Sequence, residues 1–265
     1  MGFDHYKALG IESVDRVTTI TINRPEARNA INAALHHEFT TIWHEVDSDP
    51  DTDVIVFQGS GGSFCAGGDL KWLLTIAGNP TKVMAGIRAD QRISEGMLTL
   101  EKPIIAKVDG PAIGLGCSLA LYCDFVFATE RSIFADPHVS VGLVAGDGGA
   151  LLWPKLIGHM RAKRYLLTGD HVEAADAAAM GLITRCVADE TELATVVSEM
   201  ATRLRNGASH AIRFTKTSVN AGLRQTASAV IDRAASFEAI TMMTDDHRIA
   251  LEAFLAKKPP NFSGR

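Results

Sequence analysis

One imidazole and one carboxylate stand nine residues apart in FADPHVSVGLVAGDGG (134–149): His138 and Asp147. An unperturbed imidazole titrates near ~6.5 and so exchanges protons close to working pH. A carboxylate beside it can orient the ring while the ring activates water or moves a proton. The same two residues also read as a loop histidine bonded to backbone and an aspartate charging the first turn of a helix, a cap worth ~0.5–2 kcal/mol. A second kind of chemistry lies in two glycine-rich turns, SFCAGGDL (63–70) and DGPAIGLG (109–116). Each follows an apolar run and opens a helical one, so each presents backbone N–H groups at a helix N-terminus, where dipole and unsatisfied donors favour negative charge. Two such donors aimed at one point make an oxyanion hole. Spacing alone also allows two ordinary βα turns. The first lacks G-x-G-x-x-G spacing, and neither ends in G-K-[ST].

The elements around these residues follow from periodicity. RVTTITIN (16–23) alternates as a half-buried strand and is ended by Arg24-Pro25. Ile31, Leu35, Phe39, Ile42 and Val46 recur at helical spacing and predict one amphipathic helix that stops before Pro50. VIVFQ (54–58) and IIAKV (104–108) are short apolar runs expected of strands buried on both faces. A helical region over about 80–100 separates them. DFVFAT (124–129) and SIFAD (132–136) predict two further strands, the second leading into the His138 loop. From about 147 onward nearly everything reads as helix, except near 183–187. Strand-rich βα units first and helices last predict an α/β core with a helical C-terminal layer.

Composition narrows the functions. The chain has 265 residues, 46% of them hydrophobic, enough for one large or two small cores. A net charge of −5 without a block of like charges argues against nucleic acid or an anionic membrane as partner. No signal peptide is visible, and no apolar run approaches the ~18 residues that span a bilayer, so the expected location is cytoplasmic. Cys65, Cys117, Cys123 and Cys186 form no C-x-x-C and read as reduced thiols. His36, His37 and His44 fall on or near the polar side of the 31–48 helix and lack an H-E-x-x-H arrangement for a metal. His247 sits in TDDHR, a surface-like cluster. Ser63 and Ser118 lack the G-x-S-x-G elbow of a serine hydrolase.

Five motifs in order, NRPEARNAI (23–31), GGSFCAGGDL (61–70), KVDGPAIGLGCSLALYCD (107–124), GHMRAKRYLLTGD (158–170) and AFLAKKPPNFSGR (253–265), resemble the crotonase, or enoyl-CoA hydratase/isomerase, superfamily. The resemblance implies an α/β fold: a crotonase-like spiral of ββα units over 1–200, with a C-terminal helical region over 201–265 for capping and trimerisation. It implies self-association as a trimer or dimer of trimers. It also implies an acyl-CoA thioester substrate whose carbonyl sits between two backbone N–H groups, here Gly68 and Leu115. No metal or redox cofactor is implied, and coenzyme A enters as part of the substrate. Many relatives have glycine at the second position; Leu115 keeps the N–H and adds a side chain.

Hydratases of this family place two glutamates where this chain has Ser118 and His138. A serine hydroxyl has too high a pKa to serve as a free base, so a standard two-glutamate hydratase is not expected. His138, supported by Asp147, takes the acid/base role. The pattern P-H-x₇-G-D-G partly resembles the camphor-diketone hydrolase branch, from which Leu115 departs, since a histidine is expected there. By the same similarity Ala66, Asp69, Lys71 and Gly114 border the substrate or its CoA, although Asp69 also reads as the cap of the helix it opens. Phe254 and Lys257 match positions that meet the CoA nucleotide. Three functions follow: an acyl-CoA enzyme acting as lyase or isomerase, a CoA-independent retro-Claisen hydrolase of cyclic β-diketones, and a catalytically silent acyl-CoA-binding protein.

Overall fold

A computed structural model describes residues 2–264. Its strands are β1 (Leu9–Val14), β2 (Val17–Ile22), β3 (Val54–Gly59), β4 (Ile104–Val108), β5 (Ala112–Ile113), β6 (Phe125–Thr129), β7 (Ile133–Ala135), β8 (Val172–Glu173) and β9 (Arg185–Val187). Its helices are α1 (Ala33–Phe39), α2 (Ile42–Ser48), α3 (Leu70–Ile76), α4 (Pro80–Thr99), α5 (Leu115–Leu121), α6 (Gly149–Ile157), α7 (His159–Thr168), α8 (Ala174–Ala179), α9 (Glu190–Arg205), α10 (Ser209–Thr241) and α11 (Asp245–Leu255). Short 3₁₀ turns cover Pro25–Ala27 and His138–Val141.

Successive units alternate between two sheets. The larger runs β1-β2-β3-β4-β6-β9, parallel except for the β1–β2 hairpin, and the smaller runs β5-β7-β8. So β4 enters the large sheet and β5 the small one, then β6 the large and β7 the small. This is the expected spiral of ββα units. Parallel bridges Ile31↔Gly68 and Cys65↔Ala112 continue the small sheet towards both glycine-rich turns. β3, whose first four residues are buried, reads as the apolar run of a strand covered on both faces. Between the layers Trp43 and Phe57 pack edge to face at 5.3 Å between centroids, as do Phe57 and Phe64 at 5.2 Å.

The single helix expected over 31–48 is two. Asn32 caps α1 by accepting from the Leu35 N–H at 3.0 Å. The helix then stops at Thr40-Thr41, whose hydroxyls donate back to the carbonyls of His37 at 2.7 Å and Glu38 at 3.3 Å, competing with the helical ladder. α9 packs on β3, β4 and β6, so residue 200, where the core was expected to end, lies inside a helix that covers the sheet. α10 and α11 instead return to α4, α6, α3 and the His138 turn. Among the described residues no helix is long and apolar enough to cross a membrane. All four cysteines are free thiols, three of them buried.

Candidate active site

The two glycine-rich turns face each other across a cleft. Gly67 has φ +84°, and a β-carbon there would come within 3.0 Å of the Ile113 carbonyl, so glycine is what lets the turns approach. Around Ile31, the residues flanking Gly68 make the bonds: Ile31 N–H donates to Gly67 and Asp69 N–H to Ile31. The Gly68 N–H therefore points away from that ladder, and it donates to no backbone carbonyl among the described residues. Leu115 is the first residue of α5, so its N–H has no acceptor within the helix. Gly114, just before it, has φ +55° and ψ −128°, a conformation open to glycine alone.

His138 lies against this point: a β-carbon on Gly114 would be 3.8 Å from the His138 Cε1. Both ring nitrogens face carboxylates. Nδ1 donates to Asp136 Oδ1 in a very short hydrogen bond, and Nε2 lies 3.3 Å from Asp147 Oδ2. The first contact is aligned as a hydrogen bond. The second is an ion pair without hydrogen-bond alignment, which leaves Asp147 Oδ2 without a hydrogen-bond partner among the described residues. Asp147 Oδ1 accepts from the Ser118 hydroxyl at 2.9 Å. The site is thus a chain of four residues, Ser118, Asp147, His138 and Asp136. Serine and aspartates are buried, and the histidine side chain is 12% exposed.

The GDGG sequence makes this possible. A β-carbon on Gly149 would collide with Asp136 Oδ2, and one on Gly148 would stand 2.7 Å from the Tyr122 hydroxyl. Gly148, with no side chain to offer, occupies the N-cap of α6. Asp147 is therefore not the N-cap residue; its carboxylate reaches Ser118 and His138 as well as the Gly149 N–H in the first turn of α6. α11 steadies the loop from behind, where His247 Nδ1–H donates to the Val141 carbonyl at 2.7 Å. His247 is fully buried, correcting its surface reading; the acidic TDDHR surroundings belong to the helix's outer face.

Electrostatics follow from this packing. Burial alone would depress the His138 pKa, but the charges of Asp136 and then Asp147 override it and hold the ring well above the usual imidazole range. Burial would raise Asp147, yet the His138 charge and the Ser118 hydroxyl bring it below the ordinary carboxylate value. The resting pair is imidazolium and carboxylate, not the free imidazole that an unperturbed value would suggest. Cys65, in the first turn, has its thiol pushed up to about 12 by burial and donates to the Asn29 carbonyl, so it is held as a neutral thiol.

The cleft holds ≈ 150 Å³ and is walled by apolar groups, among them Trp72, Leu73, Ile76, Leu143 and Met242. Of the residues expected to touch substrate, Ala66, Gly68, Gly114, Leu115, His138 and Asp147 all line it. Asp69 does not: it caps α3, accepting from the N–H groups of Lys71 at 3.0 Å and Trp72 at 3.3 Å. Lys71 is exposed on the first turn of α3, beside the cleft residues Leu70 and Trp72. Phe254 and Lys257 are exposed at the end of α11 and do not line the cleft.

Four residues were not anticipated. Asp136 lies in the quoted motif itself, two residues before His138. His36 is not on a polar face but buried, with Nε2 at 2.6 Å from Asp90 Oδ1 of α4, and both residues line the cleft. Glu238, from α10, lines it too and is buried. Asp136, His138 and Asp147 also bring three ligand atoms within 4.8 Å of one another, the one such group among the described residues. Each imidazole nitrogen already faces a carboxylate, so a protonated ring satisfies this donor set.

The family model for "Enoyl-CoA hydratase/isomerase" matches residues 12–265. The chain is 33% identical over 262 residues to a crotonyl-CoA hydratase of Syntrophomonas wolfei, covering 97% of this chain and 98% of that protein. It is 30% identical over 256 residues to a short-chain-enoyl-CoA hydratase of Clostridium acetobutylicum, covering 94% of each. The crystal structure of an enoyl-CoA hydratase/isomerase from Mycobacterium paratuberculosis matches with a TM-score of 0.90 at 34% identity, covering 94% of this chain and 99% of that one.

Proposed function

The chain belongs to the enoyl-CoA hydratase/isomerase family, and from that premise we propose that it is an acyl-CoA enzyme whose acid/base group is the His138–Asp147 pair. The thioester oxygen accepts from the N–H groups of Gly68 and Leu115, which stabilise the enolate that forms as a proton leaves or joins the α-carbon. Asp147, which lines the cleft and is ionised, takes a proton from substrate or water. His138 is held protonated and can return one through Nε2, while Asp136 fixes the ring through Nδ1. The observation that supports this reading is that Gly68 and Leu115, whose N–H groups donate to no backbone carbonyl among the described residues, line one cleft with Gly114 and the adjacent His138 ring.

Relatives named as crotonyl-CoA and short-chain-enoyl-CoA hydratases favour a CoA thioester over a CoA-independent diketone. An ionised pair beside free N–H donors favours turnover over silent binding. The reaction differs from two-glutamate hydration, because Ser118 is spent on holding Asp147. Phe214, Val219, Phe237 and Ile240 are large apolar side chains exposed on α10, which suits self-association as a trimer or dimer of trimers.

The test is exchange of α-hydrogens of a bound acyl-CoA with deuterated solvent, together with turnover of crotonyl-CoA. His138→Ala is expected to lower both by ~10²–10⁴-fold while CoA-thioester binding persists. Unchanged exchange and turnover in that variant would sink the assignment.

A further inference from the structure

α4 carries two glycines, and packing accounts for only one of them. A β-carbon on Gly96 would stand 3.2 Å from the Trp43 Cβ, so glycine there lets α4 lie close on α2. At Gly86 the same atom would meet nothing within 4 Å. Gly86 is not at a helix end, since α4 runs from Pro80 to Thr99, and glycine inside a helix is less stable than alanine. Nor does it sit on the outer face. It falls in the stripe of Val83, Ile87, Asp90, Ile93 and Met97 that α4 turns inward, where helical periodicity favours an apolar side chain. Gly86 and Asp90, one turn further on, both line the cleft. The α4 wall of the cleft therefore has a gap at residue 86. Gly86 is only half-buried, so the gap reaches solvent.

This gap lies far from the oxyanion donors. α3 starts at Leu70, two residues after Gly68, and its last residue, Ile76, is ~9 Å further along the axis at about 1.5 Å per residue. Ile76 packs in one apolar cluster with Val83 and Ile87, which flank Gly86 in the α4 stripe, and with Leu143 and Met242. An acyl chain whose thioester oxygen is held at Gly68 and Leu115, and which follows the cleft along α3, arrives at Gly86. The enclosed volume of ≈ 150 Å³ suits a benzene-sized guest, about six heavy atoms. A longer chain needs an exit.

We propose that Gly86 is the residue that sets acyl-chain length. By leaving the α4 wall open it lets an apolar chain longer than the enclosed cleft run out between α3 and α4. The preferred substrate is then a medium-chain acyl-CoA rather than one of crotonyl size, an inference that rests on the acyl-CoA reading above.

The experiment measures kcat/KM and calorimetric affinity for crotonyl-, hexenoyl-, octenoyl- and decenoyl-CoA with wild type, Gly86→Ala and Gly86→Leu. In wild type each added methylene that gains apolar contact should raise kcat/KM by ~4-fold, so octenoyl-CoA exceeds crotonyl-CoA. Gly86→Leu fills the gap. The ratio of kcat/KM for octenoyl-CoA to that for crotonyl-CoA should fall by ~10–200-fold, chiefly through KM, with Gly86→Ala in between. Both variants should melt at or above the wild-type temperature, because the space is open and a helical glycine is replaced. A glycine with a merely structural role would change Tm and leave the chain-length ratio where it was. An unchanged ratio in Gly86→Leu overturns the proposal. So does a wild type that accepts crotonyl-CoA but none of the longer members, or a Gly86→Leu chain that does not fold, since the space would then be closed. The acyl-CoA reading survives each of these results. If wild type neither binds nor turns over any member of the series, that reading falls and the role of Gly86 falls with it.

Discussion

Replacing Glu238 by glutamine should make the protein increasingly more stable than wild type as pH rises. Glu238 is 6% exposed on α10 and feels the negative charges of Asp90, Asp147 and Asp136. Unfolded, a glutamate releases its proton near 4.5; in the folded chain burial keeps the proton on far beyond that, with only the His138 charge opposing. Between those two pKa values the native state holds one proton more than the unfolded chain. Stability then falls with rising pH by about 1.4 kcal/mol per unit. Across about pH 5 to about pH 7 the wild type therefore loses stability through this residue, by up to that slope while the folded carboxyl keeps its proton. Glutamine has the same shape and has no proton to lose. The other titrating groups are common to both proteins, so their contributions subtract. Urea denaturation of the two proteins at three pH values across that interval gives the difference directly. The Gln variant should gain on wild type as pH rises, by up to about 1.4 kcal/mol per unit, with each kcal/mol worth ~2–4 °C in Tm for a chain of this size. Parallel stability curves would refute the reasoning, since they would mean that Glu238 ionises in the folded protein as it does in the unfolded one.

Two further substitutions probe the four-residue chain and the donor turn. Ser118→Ala leaves a buried acceptor on Asp147 unanswered and should cost ~1–3 kcal/mol. Asp147 has a lowered folded pKa, so its stabilising pair persists above 3.8 and is lost as pH falls through the folded value. Without the Ser118 hydroxyl that value rises, and the acid-unfolding midpoint followed by fluorescence should move to higher pH. Gly114→Ala has room for its β-carbon beside His138 but forces a side chain onto φ +55°, a strain of ~1–3 kcal/mol. Relief of that strain re-aims the Leu115 N–H, so kcat/KM on crotonyl-CoA should fall by more than ~10-fold, with a smaller change in KM for the thioester than in kcat. An unchanged kcat would separate Leu115 from the reaction.

The sequence was informative where chemistry and chain order coincide. His138 and Asp147 sit in one motif, and the glycines that let them meet, Gly148 and Gly149, are printed beside them. Both donor turns were legible for the same reason, since each pairs an apolar strand with a glycine-rich helix start. The inner wall was not. His36 follows Leu35 by one residue, outside the stripe formed by Leu35, Phe39 and Ile42, and becomes buried only because α4 brings Asp90 over it. Periodicity reports which face a helix turns to the core; it does not report a second helix laid over its flank. Glu238 and His247 were hidden similarly, inside long helical stretches whose partners lie about 100 residues away in the chain. The break at Thr40-Thr41 depends on two hydroxyls choosing nearby carbonyls, a local competition that apolar spacing cannot register.

The absence of glutamate at 118 and 138 reads differently once Asp147 is placed. A carboxylate has not disappeared from the region of Ser118: Asp147 fills it from the start of α6, with the serine hydroxyl donating to its Oδ1. Nor is position 138 without acid. Its imidazolium stands between two carboxylates and keeps a proton that a free glutamate would have released at neutral pH. We infer that the acid and base have exchanged chemical identity rather than been lost. In this proposal the base is a carboxylate supplied by a different element, and the acid is a histidine tuned by Asp136. Such a pair holds its proton on nitrogen and its negative charge on oxygen at rest, the reverse of what two coupled carboxyls sharing one proton would do. That arrangement suits a reaction in which the enzyme first takes a proton from carbon or water and returns it from the opposite side of the same contact. In that reading Asp136, buried with its second oxygen without a hydrogen-bond partner among the described residues and absent from the cleft lining, acts electrostatically by holding His138 charged.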